Sequence, residues 1–106
     1  MDPSAAGTNG GPLRRGVTIT NPHGFHMRPM QAFVELASQF QAAIRLQRNA
    51  EPPVDGKSIW ALLAVASERG TELVVEVEGP DGPAALEALV DLLVNLETRV
   101  PVDEPE

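Results

Sequence analysis

The residues best suited to chemistry lie in the segment NPHGFHMRPMQAFVELA, residues 21–37, which contains both histidines of the chain. His26 is followed two positions later by Arg28, and a helical apolar pattern begins beside it. The first turn of a helix presents unpaired backbone N–H groups and the positive end of the helix dipole, so it attracts anions. An imidazole placed there can accept a phosphoryl group, whose oxygens the helix amides and Arg28 can hold. This chemistry requires no metal and no cofactor.

An ordinary explanation of His26 competes with this one. A single histidine at a junction between a loop and a helix usually caps the helix or lies on the solvated surface. The residue types alone therefore indicate only an anion site at this position. His23 lies three residues earlier, before the predicted helix, and is interpreted as a surface turn residue or as a group that adjusts the charge of the site.

The apolar periodicity predicts the elements that position this segment. Val17 and Ile19 alternate with threonines in a short strand, which ends at the turn formers of residues 21–24. The next helix starts near Met27, where Pro29 is tolerated because the first turn has no amide hydrogen bonds to lose. A strand over residues 42–47, a weak edge strand near Val54 after two prolines, a helix from Ser58 to Gly70, a strand over 72–78 and a helix over 83–96 follow.

These elements predict one α/β domain. Helices that each have one apolar stripe and strands that each have one buried face fit together when all helices cover one side of a mostly antiparallel sheet. The prediction is a two-layer α/β sandwich over residues 16–97. Residues 1–15 are expected to form a disordered tail and residues 98–106 a flexible acidic tail, because their Gly, Pro and polar composition cannot offset the entropy of ordering.

Composition excludes several classes of function. The chain of 106 residues has no cysteine, so it has no disulfides, thiolate metal site or thiol nucleophile. A net charge of −7 opposes nucleic acid binding, which needs clustered basic residues. No apolar run approaches the roughly 20 residues that span a bilayer, and the first residues lack the apolar core of a secretory signal. We expect a cytoplasmic protein without membrane insertion.

The motifs resemble a known family. NPHGFHMRPMQAFVELASQF, DGKSIWALL and VEGPDGPAALEALVDLL together make residues 17–97 similar to HPr, the histidine-containing phosphocarrier of the bacterial phosphoenolpyruvate:sugar phosphotransferase system. The resemblance implies an open-faced sandwich of βαββαβα order, with three helices on one face of a four-stranded antiparallel sheet. It also implies a monomeric phosphocarrier that takes phosphate from enzyme I and passes it to a histidine of a sugar-specific enzyme IIA.

The resemblance assigns roles to individual residues. It implies that His26 is phosphorylated, on the ring nitrogen nearer the main chain, and that Arg28 and the backbone of Met27 and Arg28 stabilise the phosphate. Ser58 matches the family's regulatory site, which an ATP-dependent HPr serine kinase/phosphorylase modifies in many bacteria. A serine that opens a helix is equally well explained as an N-cap, a contribution of about 1 kcal/mol.

A docking surface for the partner proteins is also expected. The candidates are apolar residues near His26 or in the second helix: Phe25, Met27, Met30, Trp60, Leu62 and Leu63. Trp60 could instead be a core residue. Several of these positions depart from the usual family residues, for example Phe25 in place of Leu, which leaves the partner set open.

Two other functions remain possible from sequence. One is a regulatory phosphocarrier, of the nitrogen-related branch or independent of sugar permeases, in which the phosphorylation of His26 or Ser58 controls other proteins. The other is an interaction module without catalysis, against which the presence of both His26 and Arg28 argues.

Overall fold

The computed structural model describes residues 11–100, whose helices and strands include all the predicted elements in the predicted order. A 3-10 helix and a short last helix are additional, because the helix predicted over 83–96 ends at Val94 and a new one begins at Leu96. The elements are β1 (Leu13–Thr18), α1 (Met27–Ala37), β2 (Ala43–Arg48), β3 (Val54–Asp55), α2 (Ile59–Leu62), a 3-10 helix (Leu63–Val65), β4 (Glu72–Glu78), α3 (Gly82–Val94) and α4 (Leu96–Arg99).

The four strands form one antiparallel sheet in the order β1-β4-β2-β3. β4 is central: Val75 lies opposite Arg15 on one side and Leu46 on the other. β3 is a two-residue edge strand, as the prolines before it require, because proline cannot donate to a strand ladder. This topology confirms the predicted open-faced sandwich.

The core lies between one face of the sheet and the helices. Along β4, Leu73, Val75 and Val77 are fully buried while the residues between them are not. Helix α3 packs on β1 and β4, and α1 packs on α3. Burying one such aliphatic side chain contributes roughly 1.5–3 kcal/mol. The apolar stripes of α1 and α3 therefore fix both helices on the same side of the sheet.

The predicted limits of the domain were too narrow. Residues 13–15 were assigned to the disordered tail, but they belong to β1 and pair with β4 from Leu13 opposite Val77 onward. Backbone pairing with a seven-residue neighbour does not require apolar side chains, which explains why composition missed it. At the other end α4 extends to Arg99, which is paired with Asp91. Residues 1–10 and 101–106, the outer parts of the two predicted tails, lie outside the described residues.

The second helix is shorter than predicted. It was expected to run to Gly70, but α2 ends at Leu62 and the 3-10 helix ends at Val65. Ala66 has an extended backbone, with φ −53° and ψ 137°, and Ser67 then pairs with Phe25 in an antiparallel bridge. The helix stops because the backbone of Ser67 bonds across to the segment before α1.

Asp81 connects the turn before α3 to the loop between α1 and β2. Its two carboxylate oxygens accept hydrogen bonds from the backbone N–H groups of Gln41 and Ala42, each at 2.8 Å. The bond from Gln41 is the largest cause of a lowered pKa for Asp81; desolvation opposes it, and the bond from Ala42 adds to it. The carboxylate form therefore stabilises the fold.

We expect Asp81→Asn to lower the Tm at pH 7, because an amide has only one acceptor oxygen for the two N–H groups. The folded-state pKa of Asp81 lies below its unfolded value, so this stabilisation is present above the unfolded pKa, about 4, and is lost as the pH falls through the folded value. Thermal unfolding is followed by circular dichroism from pH 7 to pH 2. The Tm values of the wild type and Asp81→Asn should converge at acid pH. Glu87→Gln, at an exposed position of α3, is the control. A Tm difference that is constant across this range would contradict the assignment.

Candidate functional site

The loop before α1 is a tight turn closed by Asn21. The backbone N–H of Gly24 donates to the carbonyl of Asn21 at 3.1 Å, and Nδ2 of Asn21 donates to the carbonyl of Gly24 at 2.8 Å. Asn21 is buried, so this reciprocal pair is shielded from water. Its position three residues after the end of β1 fixes where the chain turns toward α1.

Gly24 allows two chain segments to approach closely. Its φ is +74°, in the region that favours glycine, and a Cβ at this position would overlap the carbonyl oxygen of Ser67 and lie 3.2 Å from Cα of Glu68. The close approach lets Phe25 donate to Ser67 at 2.8 Å and Ser67 donate back at 3.1 Å. The loop that carries His26 is thus attached to the loop before β4.

The second loop has its own support. The Ser67 hydroxyl donates to the carbonyl of Val65 at 2.6 Å. Arg48, at the end of β2, donates to the carbonyl of Ala66 at 2.5 Å and to Glu51 through two nitrogens at 3.0 and 3.1 Å. The segment against which Phe25 pairs is therefore anchored to the sheet.

His26 occupies the N-cap position of α1. Its backbone is extended, its carbonyl accepts the first helical hydrogen bond from Met30 at 2.9 Å, and its side chain makes no capping bond. The imidazole is 48% exposed. Pro29 in the first turn has no N–H to donate, so it fits there without loss of a helical bond. The ring is therefore presented to solvent beside the amides of the first turn. Its side chain does not cap the helix, so of the two ordinary explanations of His26 only the solvated surface group remains.

His26 and Arg28 line the same surface cleft, which has a volume of about 360 Å³. The residues around it come from the turn, the first turn of α1 and the end of α4: Asn21, His23, Gly24, His26, Met27, Arg28, Pro29 and Val100. An anion in this cleft would meet the positive end of the helix and a guanidinium together. The cleft contains both residues that the sequence proposed for this chemistry.

The structure also places residues in the site that the sequence did not indicate. Glu68 lies beside His26, with Oε2 3.8 Å from Nε2, and Val100 closes one side of the cleft. Both come from loops or helix ends far along the chain, and nothing in their local sequence indicates the contact. His23, which the sequence left as a surface turn residue or a group that adjusts the charge of the site, lines the cleft as well.

Ser58 is the N-cap of α2. Its hydroxyl accepts a hydrogen bond from the backbone N–H of Ala61 at 3.2 Å, and the residue is partly exposed. The structural role that the sequence offered as one explanation is thus present. The hydroxyl remains at the start of a short helix on the molecular surface.

Only half of the expected docking residues are available to a partner. Phe25, Met30 and Leu62 are fully buried, so the expectation that they dock partners is wrong. Phe25 packs edge-on against Phe33 with ring centroids 6.1 Å apart, so it joins the loop before α1 to the core. Met27, Trp60 and Leu63 are 47%, 81% and 44% exposed. We call these three residues the apolar patch, and the alternative of Trp60 as a core residue is wrong.

The described residues form neither a metal-binding cluster nor a membrane-spanning helix. Between residues 11 and 100, no cluster of three or more His, Asp or Glu side chains is arranged to hold a metal ion. No helix in the same range has the length and apolar character needed to cross a membrane.

We expect Gly24→Ala to destabilise the fold by about 3 kcal/mol, because the new Cβ adds an overlap with Ser67 to the strain of a positive φ. Gly70→Ala is a matched control: its φ is +94° but a Cβ there has no neighbour within 4 Å, so only the backbone strain, about 1 kcal/mol, applies. Urea denaturation measures both. Equal losses for the two variants would show that the approach of residues 24 and 67 is not tight.

Comparison with known proteins assigns the family. The family model described as the HPr component phosphorylation site of the phosphotransferase system matches residues 13–95. The phosphocarrier protein HPr of Pseudomonas aeruginosa is 42% identical over 79 residues, covering 74% of this chain and 88% of that protein. The phosphocarrier protein NPr of Escherichia coli is 34% identical over 80 residues, covering 76% and 89%. A crystal structure of HPr from Thermoanaerobacter tengcongensis matches with a TM-score of 0.71 and 32% identity, covering 76% of this chain and 90% of that one. The chain therefore belongs to the HPr family of phosphocarriers of the phosphotransferase system.

Proposed function

We propose that His26 accepts a phosphoryl group from phosphorylated enzyme I and passes it to a histidine of an enzyme IIA component. The observation that carries this proposal is the placement of His26 and Arg28 in one open cleft at the start of α1. The cleft is on the surface, so the reacting groups of two proteins can meet there. A carrier requires such access at each of its two transfer steps.

The geometry of the site supports this transfer. A ring nitrogen of His26 attacks phosphorus with its lone pair, and a new N–P bond forms as the N–P bond to the donor histidine breaks and leaves its electron pair on the donor ring. The amides of Met27 and Arg28 belong to the first turn of α1, where the positive end of the helix stabilises the phosphate oxygens. The Arg28 guanidinium adds positive charge to the same cleft. Since bonds of one kind form and break, transfer can run in both directions.

The apolar patch is proposed as the docking surface for enzyme I and enzyme IIA. Met27 is next to His26 in the chain, and α2, which carries Trp60, packs against α1. Exposed tryptophan is among the side chains that contribute most to binding when an interface buries it. Docking through this patch would place a partner's histidine at the cleft.

Ser58 is proposed as a second, regulatory phosphorylation site for an ATP-dependent serine kinase/phosphorylase. Its hydroxyl is on the surface at the start of α2, two residues before Trp60. A phosphate there would add negative charge beside the apolar patch, and charge at the rim of an interface alters association with its partner.

A regulatory phosphocarrier is the second candidate function, in the nitrogen-related branch or independent of sugar permeases. The observation in its favour is that both HPr and NPr proteins are similar to this chain at 34–42% identity. The chemistry at His26 is the same in both candidates. They differ in which first enzyme and which acceptor react with the chain.

Incubation with phosphoenolpyruvate and enzyme I should add one acid-labile phosphoryl group to the chain, measured by intact mass spectrometry. His26→Ala should abolish the addition, and His23→Ala, a matched loss of an imidazole in the same cleft, should retain it. A parallel incubation uses the first enzyme of the nitrogen-related branch. The enzyme that phosphorylates the chain faster indicates whether the sugar-uptake or the regulatory function applies. No addition to the wild type with either enzyme would refute the carrier proposal.

We expect Trp60→Ala to slow phosphorylation by enzyme I about tenfold at low enzyme concentration, because the partner loses a large apolar contact. Folding stability should change by no more than about 0.5 kcal/mol, since the side chain is 81% exposed. Val94→Ala removes another exposed apolar side chain, 52% exposed at the end of α3, and serves as the control. Stopped-flow transfer rates and urea denaturation measure the two effects. An unchanged rate for Trp60→Ala would exclude the apolar patch as the docking surface.

A further inference from the structure

Glu68 faces the ring nitrogen of His26 that points away from the main chain. Its Oε2 is 3.8 Å from Nε2 of His26, a separation at which charge attracts without a direct hydrogen bond. The Glu68 side chain is 86% exposed. The roles assigned above to the cleft and the apolar patch do not use this carboxylate.

The backbone of Glu68 is held in place by bonds on both sides. Ser67 exchanges two hydrogen bonds with Phe25, at 2.8 and 3.1 Å, and the carbonyl of Glu68 accepts from Thr71 at 3.1 Å. A Cβ on Gly24 would lie 3.2 Å from Cα of Glu68, so this residue lies directly over the loop that leads to His26. The position of the Glu68 backbone within reach of His26 therefore follows from the fold.

We propose that Glu68 is a positioning residue for phosphoryl transfer at His26. Its carboxylate favours the tautomer of the neutral ring that carries its proton on Nε2, which leaves the lone pair on Nδ1 available. This inference rests on the proposed function of His26 as the phosphoryl acceptor. It adds a reason why Nδ1 reacts.

The carboxylate has a second effect after transfer. When Nδ1 forms the N–P bond and the donor histidine keeps the electron pair of the broken bond, the proton on Nε2 stays where it is. The ring then carries a positive charge beside the carboxylate of Glu68, which stabilises it. Because both groups are largely in water and salt screens them, the effect on rate is modest, about two- to fivefold.

The test uses the full chain in three variants. Glu68→Ala removes the carboxylate, Glu68→Gln keeps a neutral acceptor oxygen, and Glu87→Ala removes the same charge from an exposed position of α3. The fraction of the neutral His26 ring protonated on Nε2 is measured from 15N chemical shifts of the unphosphorylated proteins. The rate of phosphorylation by enzyme I is measured at low and high salt.

The expected result is a smaller Nε2–H fraction in Glu68→Ala, together with a rate about two- to fivefold below wild type that approaches it at high salt. Both values for Glu68→Gln should fall between those of Glu68→Ala and the wild type. Glu87→Ala should match the wild type in both. An unchanged Nε2–H fraction in Glu68→Ala would overturn the proposal. This holds even if phosphoryl transfer slows, because slower transfer with an unchanged tautomer would indicate lost docking. If the wild type is not phosphorylated at all, the proposed function fails. The tautomer measurement still tests whether Glu68 acts on the His26 ring.

Discussion

The site depends on the pairing of Phe25 with Ser67 across Gly24. Two backbone hydrogen bonds join the loop before α1 to the loop before β4, and the missing side chain of Gly24 makes this approach possible. The pairing buries Phe25 against Phe33 and leaves the next residue, His26, half-exposed at the start of α1. The site thus combines a buried anchor, Phe25, with an adjacent exposed reactive group that another protein can reach.

Contacts outside the site hold the second loop and α1 in place. The central strand β4 fixes the sheet, and the sheet anchors the second loop through Arg48, which donates to the carbonyl of Ala66. Asp81 holds the segment after α1 through Gln41 and Ala42, so both ends of α1 are tied to other elements. A negatively charged chain thus presents a local cleft lined by a helix N-terminus and Arg28.

Local sequence predicted the parts that depend on periodicity. The alternation of Leu73, Val75 and Val77 and the apolar stripes of the helices are sufficient to predict the sheet, the layers and the start of α1 near His26. The end of α2 and the start of β1 were missed, because they depend on backbone pairing of Ser67 and Leu13 with distant segments. For the same reason, sequence did not indicate Glu68 or Val100. The sequence also could not tell which of the apolar docking candidates are buried and which are exposed, because burial depends on how the fold packs.

We propose that His26 carries phosphate on the ring nitrogen nearer the main chain. Two-dimensional NMR of the 15N-labelled protein, recorded after incubation with enzyme I and phosphoenolpyruvate, resolves the ring nitrogens of both histidines and the nitrogen bonded to phosphorus. We expect a 15N–31P coupling at Nδ1 of His26 and an unmodified His23 ring. Coupling at His23, or at neither histidine, would contradict it.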